Sequence, residues 1–76
     1  MAEEQGVVLF YTIHAVFRLQ KSLRKRGMTC RAIPTPRHLS SDCGTALRFP
    51  WNCRADVEAE IADLDLEIES IHKLEA

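Results

Sequence analysis

The sequence predicts a small α/β (α+β) fold of the βαββα type, a split β-α-β sandwich with a three-stranded mixed sheet and a long C-terminal helix. Three observations lead to this fold class. A run of apolar, β-branched and aromatic residues at 7–11 is typical of a strand covered on both faces. Apolar residues recur with helical spacing in two segments, 13–26 and 55–74. Two further short segments, 28–33 and 45–49, have the composition of strands.

The first helix is predicted to be amphipathic. Its apolar positions are Ile13, Val16, Phe17, Leu19 and Leu23. Thr12 is a candidate N-cap, and Gly27 occupies the position at which many helices end. The outer face is basic, which suits the negative C-terminal end of the helix dipole.

The second helix is predicted from a strict apolar seam. Its positions recur at steps of four and three residues: Val57, Ile61, Leu64, Ile68 and Ile71. Residues 55–74 also contain neither glycine nor proline. We expect the seam to pack against the sheet, although the same spacing suits a short coiled coil between protomers.

The order of the elements predicts where their ends meet. A strand-helix-strand unit is almost always a right-handed crossover between parallel strands, and a third strand fits between them, antiparallel to both. The strand 45–49 is therefore expected in the middle of the sheet. This arrangement brings Cys43 beside Tyr11 and Thr12 at the start of the first helix, an edge where open α/β sheets usually bind ligands.

The loop 34–43 is rich in turn residues and ends in a thiol. Pro34 and Pro36 fix their own φ angles and favour extended backbone before them, so a strand cannot continue here. Pro36 suits the first position of a short helical turn. Gly44, directly after Cys43, permits positive φ or lets another group approach the thiol.

Length and cysteine content limit the class of protein. We expect one domain, 1–76, and a homodimer, because so short a chain buries a small fraction of its surface. Acidic residues near the N-terminus and the lack of a long apolar run predict a soluble cytoplasmic protein that is not in a membrane. The cysteines, Cys30, Cys43 and Cys53, are odd in number and lack Cys-x-x-Cys spacing. This pattern fits neither a disulfide framework nor a zinc site, so we expect reduced thiols, no metal and no cofactor.

The charges divide along the chain. Residues 1–53 carry eight Lys/Arg and three Asp/Glu, whereas residues 54–76 carry two and eight. The two parts are therefore at +5 and −6, which favours attraction within or between chains. The basic part lacks interleaved aromatic residues and the acidic part would repel phosphates, so nucleic acid is not an expected ligand.

Cys43 is the candidate reactive residue. A helix N-terminus or a nearby cation stabilises a thiolate, which is the nucleophilic form of cysteine. Thr12 marks such a helix start, and Arg37 supplies a fixed positive charge in the loop. His14 and His38 are candidate proton partners. A thiolate held in this way could accept sulfur or selenium from a persulfide and pass it on.

The run 33–49 contains a Pro-x-Pro-Arg turn, a serine-rich approach and a Cys-Gly pair that enters an apolar strand. In these features, over residues 7–50, the chain resembles the short bacterial proteins of the Se/S carrier protein-like family. The resemblance implies a role in handling selenium or sulfur. It also implies Cys43 as the carrier residue, Arg37 as its cation and Gly44 as the residue that opens access. The acidic tail does not match a motif of that family.

Three hypotheses about function follow. The first is a carrier, rather than a true enzyme, that bears a persulfide or selenopersulfide on Cys43 between a desulfurase-like donor and a selenophosphate- or thiolation-type acceptor protein. The alternative is a non-catalytic dimeric regulatory or interaction module that binds a small anion or a partner at the loop 34–43. A thiol oxidoreductase comes third, because it would normally show paired cysteines. Cys53 remains open as a resolving thiol, and Cys30 is expected to be inert.

Overall fold

The computed structural model describes residues 4–39 and 44–74. Within these ranges the chain forms four strands, two α-helices and one short 3₁₀ turn. In chain order they are β1 (Gln5–Phe10), α1 (Ile13–Lys25), β2 (Arg31–Pro34), β3 (Thr45–Pro50), the 3₁₀ turn (Trp51–Cys53), α2 (Arg54–Asp63) and β4 (Ile68–Leu74). None of the helices in the described part of the chain is long and apolar enough to span a bilayer.

The strands form one sheet in the order β2-β3-β1-β4, and each neighbouring pair is antiparallel. The βαββαβ succession with this strand order is that of the ferredoxin-like fold. Because β1 and β2 are both antiparallel to β3, they run parallel to each other on either side of it. The predicted position of the third strand, between the first two, is therefore confirmed.

The predicted three-stranded mixed sheet and long C-terminal helix are wrong. The sheet has four strands with antiparallel pairing only, and the segment predicted as one helix, 55–74, divides into α2 and β4. The chain leaves α2 through Asp65, whose φ of 53° is left-handed. The Asp65 and Leu66 amides donate to the carbonyls of Ala62 and Ile61, which closes the helix.

A β-bulge explains why the apolar spacing misled the prediction. Leu9 pairs with Ser70, and the following residue, Phe10, pairs with Ile68. β4 therefore holds one extra residue, Glu69, at this point. Without the bulge, residues three apart in a strand would face opposite sides of the sheet. With it, Ile68 and Ile71 both pack against the core beneath the helices. A step of three is therefore compatible with a strand here.

The end of α1 also shortens the predicted strand 28–33. Gly27 has a φ of 80°, and its amide donates to the Arg24 carbonyl, while the Met28 amide donates to that of Leu23. These two bonds form a Schellman motif, the helix end that Gly27 predicted. Residues 27 and 28 are thus part of the helix terminus, and β2 begins later, at Arg31.

The helices cover one face of the sheet and build the main core there. Its fully buried side chains come from β1, β3, α1 and α2, and include Val8, Phe10, Leu47, Phe49, Val16, Leu19, Leu23 and Val57. A smaller cluster on the opposite face consists of Val7, Leu9 and Ala46, with Ile33, Leu39 and Leu74 packed against it. Because Leu39 belongs to the loop after β2, this second cluster ties that loop to the sheet.

Candidate functional site

The segments that the sequence analysis identified lie at one end of the sheet, where β1 and β2 end and β3 begins. Leu9 pairs with Ala46, so the end of β1 lies beside the start of β3. The chain enters α1 directly after β1. β2 ends at this same end of the sheet, because its last residue, Pro34, pairs with Thr45, the first residue of β3. The loop between β2 and β3 therefore emerges next to the start of α1, as predicted. Cys43 itself falls within residues 40–43, which lie outside the described residues.

The start of α1 has no side-chain cap. Thr12 occupies the N-cap position with extended backbone, φ −135° and ψ 151°, but its side chain makes no capping hydrogen bond. The first turn contains no acidic residue. Thr12 is exposed, and the first-turn N–H groups that follow it form the positive end of the helix dipole. Such a helix start favours a negatively charged group.

A small cleft of about 230 Å³ opens beside this helix start. Its described lining is formed by Tyr11, Thr12, His14, Ala15, Arg18, Asp65, Leu66 and Glu67. Two predicted site residues, Thr12 and His14, thus share one cleft. Arg18 lies one helical turn after His14 and adds a cation to the cleft, while Asp65 and Glu67 add two carboxylates. The i, i+4 spacing of His14 and Arg18 was the signal available for this pairing.

The loop after β2 is held at both of its described ends. The Thr35 amide donates to the Gly44 carbonyl at 3.0 Å, which extends the β2–β3 pairing by one step. The Leu39 amide donates to the Pro36 carbonyl at 2.9 Å, closing the turn that Pro36 predicted. The Leu39 side chain then packs on the outer face of the sheet. The approach to Cys43 is therefore a shaped turn.

The predicted residues of the loop face solvent. Arg37 and His38 are both exposed, in the turn before Leu39. Gly44 is exposed, its φ is not in the left-handed region, and no atom of the described residues lies within 4 Å of the place a Cβ would occupy. Gly44 was expected either to adopt positive φ or to let another group approach the thiol. Its φ excludes the first reason, and the open space around it is compatible with the second. These three residues are not among the described lining of the cleft that holds Thr12 and His14.

Cys30 is buried, as expected of an inert thiol. Its side chain is 6 % exposed, and its Sγ lies 3.8 Å from the Gln20 carbonyl oxygen, to which it donates. Burial raises the pKa of the Cys30 thiol, while the charge of the neighbouring Arg24 and its side-chain hydrogen bond act in the opposite direction. A buried thiol of raised pKa is a poor nucleophile at neutral pH.

Cys53 lies at the other end of the sheet from the loop. It is half-buried in the 3₁₀ turn that follows β3 and donates to Asn52 Oδ1 at 3.4 Å. The six residues of β3 separate it from Gly44, which is about 20 Å of extended chain. That separation disfavours a resolving thiol for Cys43 within one chain.

Residues 4–39 and 44–74 contain no group of three or more His, Cys, Asp or Glu side chains placed to hold a metal ion. The chain matches a family model described as Putative Se/S carrier protein-like over residues 5–73. The chain belongs to this family. No curated protein and no solved structure matches it.

The Se/S carrier-like family accounts for more of the chain than the resemblance in the sequence suggested. That resemblance extended over residues 7–50 and left the acidic tail without a match. The family model continues through the 3₁₀ turn, α2 and most of β4. The match to the family therefore includes residues 54–73 of the acidic tail.

Proposed function

We propose that the chain carries sulfur or selenium as a persulfide or selenopersulfide on Cys43, and that it does so as a carrier between donor and acceptor proteins rather than as a true enzyme. The main support is that α1 begins, without a side-chain cap, at the end of the sheet from which the Cys43 loop emerges. Family membership supports the same cargo. A cytoplasmic location, where thiols stay reduced, belongs to the proposal.

The transfer is a thiol exchange that needs no external oxidant. The Cys43 thiolate attacks the outer sulfur of a donor persulfide, and a new S–S bond forms as the donor's S–S bond breaks. The donor leaves as a thiolate, and Cys43 retains the terminal sulfur. The acceptor's nucleophile later attacks that sulfur, which releases the Cys43 thiolate.

Each supporting residue has a separate role in this proposal. Arg37 and the N–H groups after Thr12 stabilise negative charge on the thiolate and on the terminal sulfur. Gly44 leaves the approach to the thiol open. His14 and His38, both exposed at this end of the molecule, accept or return the thiol proton.

An exposed apolar patch next to the helix start suits the docking of a donor or acceptor protein. Tyr11, Ile13 and Phe17 are 47 %, 38 % and 54 % exposed. Ile13 and Phe17 are four residues apart on α1 and so lie on one face. Large aromatic side chains are enriched in the buried centres of protein interfaces.

The test measures the reactivity of each thiol against pH. Native protein and the Cys43→Ser, Cys30→Ser and Cys53→Ser variants are treated with a neutral alkylating reagent, and modification is followed by mass. We expect one fast thiol whose rate is half-maximal below about pH 7.5, and we expect Cys43→Ser alone to remove it. Incubation with a persulfide donor should add the mass of one sulfur to native protein and none to Cys43→Ser.

Arg37 provides a second, independent comparison. Arg37→Gln should shift the reactivity profile to higher pH, whereas Arg31→Gln, at the far end of β2, should not. An unchanged profile in Arg37→Gln would remove that residue from the site. Three slow thiols in the native protein would refute the carrier.

The second candidate is the non-catalytic dimeric module that binds an anion or a partner at the loop 34–43. The exposed patch on α1 favours it, because a stable interface would cover Ile13 and Phe17. Sedimentation equilibrium of native protein and Phe17→Ser separates the two cases. A dimer that dissociates in Phe17→Ser, combined with slow thiols, supports the module.

A further inference from the structure

A second cleft opens at the end of the sheet opposite the Cys43 loop. It has a volume of about 1020 Å³ and lies where α1 ends, β2 begins and β3 finishes. Its described lining includes Gln5, Arg24, Thr29, Arg31, Arg48, Asn52 and Cys53. Small-molecule sites are commonly clefts of this order of size.

The described lining of this cleft is positively charged. Arg24, Arg31 and Arg48 line it, and its described lining includes no carboxylate. The ion pairs Arg26–Glu60, Arg54–Glu58 and Lys73–Glu4 of the described residues do not involve the three cleft arginines. The described lining of the cleft therefore carries three positively charged residues and no carboxylate.

Two of these arginines are forced together by the strand register. Arg31 of β2 pairs directly with Arg48 of β3, so their side chains lie on the same face of the sheet. Arg48 also pairs with Val7, whose side chain is in the cluster on the face away from the helices. Like charges directly opposite each other destabilise a sheet. A bound anion between them would remove that repulsion.

We propose that Arg31 and Arg48, paired on the outer face of the sheet, form an anion site that binds the phosphate-type oxyanion group of a small molecule, with Arg24 lining the same cleft from the end of α1. Guanidinium groups match tetrahedral oxyanions through paired N–H donors. Gln5, Thr29 and Asn52 supply neutral polar groups in the same cleft, where they can contact the rest of the ligand. The site is separate from the Cys43 loop and does not depend on carrier activity.

The direct test is a titration with inorganic phosphate at constant ionic strength, with sodium chloride as the balancing salt. Amide shifts in ¹⁵N NMR spectra locate the binding. We expect saturable changes confined to Gln5 and to residues 24–31 and 48–53. The double variant Arg31→Gln/Arg48→Gln should weaken binding at least about tenfold, and the single, exposed Arg31→Gln by about threefold or more.

Arg37→Gln is the matched control, because it removes the same charge from the opposite end of the sheet. It should leave phosphate binding at this cleft unchanged. Shifts that are linear in phosphate, that match sodium chloride, or that centre on residues 34–39 would overturn the proposal.

Cys53 gives a second measurement inside the cleft. In a Cys43→Ser background Cys53 is the accessible thiol among the described cysteines, because Cys30 is buried. An anionic disulfide reagent should react with Cys53 faster than a neutral one, and saturating phosphate should slow it. Loss of that preference is expected in Arg31→Gln, and an equal rate for both reagents in the parent protein would contradict the site.

Discussion

At the scale of single residues, Gly6 is required by the aromatic packing above it. A Cβ on Gly6 would lie 2.5 Å from a ring carbon of Trp51 and 2.7 Å from one of Phe49. The two rings are stacked with centroids 6.1 Å apart, so neither can move freely. Glycine in β1 therefore permits close approach of a side chain rather than a turn.

We predict that Gly6→Ala destabilises the protein by about 1–3 kcal/mol, since overpacking displaces the two rings. The midpoint of urea unfolding measures this change. Gly44→Ala is the comparison, because no described atom lies within 4 Å of its Cβ position. Equal losses from the two substitutions would show that ring contact is not the cause.

Cys30 predicts a dependence of stability on pH. Burial raises the pKa of its thiol in the folded state, so the unfolded chain loses the proton first as pH rises. The free energy of unfolding should therefore fall above about pH 8.5, by up to about 1.4 kcal/mol per pH unit from this group. Below that pH the group should contribute no slope.

Cys30→Ala isolates this contribution. Urea unfolding of both proteins from pH 7.5 to 10 should give a steeper decline for the native chain than for the variant. Parallel declines would mean that other groups account for the whole slope.

At the scale of elements, Glu60 joins the two helices. Its side chain is buried, with 8 % of the residue exposed, and it accepts a hydrogen bond from Ser22 Oγ. Arg26 Nη1 lies 3.0 Å from Glu60 Oε2. The acidic part of the chain thus meets the basic part within one molecule, which is one of the two arrangements that the charge division favoured.

We predict that Glu60→Ala costs about 1–3 kcal/mol, because Ser22 and Arg26 both lose a charged partner. Thermal or urea unfolding measures the loss. Glu58→Ala serves as the control, since Glu58 is exposed and lies 3.9 Å from Arg54 on the same helix. A change within about 0.5 kcal/mol is expected there, and a similar loss in both variants would argue against the buried link.

The sequence predicted β1, α1 and β3 closely, because each has a run or period that ends at a clear signal. It also predicted that the loop between β2 and β3 emerges at the same end of the sheet as the start of α1, since short connections limit how strands can be ordered. It failed at β4. Ile68 and Ile71 are three residues apart, which is a helical spacing, but in the structure a β-bulge lies between them. The left-handed backbone at Asp65, where the chain leaves α2, could not be predicted from the residue type. The arginine cleft was missed because the Arg31–Arg48 pairing depends on strand register.

At the scale of the whole molecule, β4 completes the fold. It pairs with β1 along its length and places Ile71 against Val8 on the face that the helices cover. Without it β1 would be an edge strand with part of the core uncovered. The C-terminal segment is therefore expected to be essential for folding.

We predict that Ile71→Asp unfolds the chain, because an unpaired carboxylate on this face is costly to bury. Lys73→Asp introduces the same residue two positions later, where the side chain is exposed and pairs with Glu4 at the surface. It should remain folded with a loss of about 1 kcal/mol or less. Dispersion of amide signals in NMR spectra distinguishes the two, and a folded Ile71→Asp would contradict the strand assignment.

Leu39 has a consequence for how this protein can change over evolution. Its side chain shields Val7, Leu9 and Ala46, which lie on the face without helices, and the same side chain fixes the loop that leads to Cys43. Release of Leu39 from the sheet would therefore expose an apolar surface to water and promote self-association. Under the proposed carrier function, a change in the loop that adapts Cys43 to a new partner is expected to require a compensating polar substitution on the outer face of the sheet.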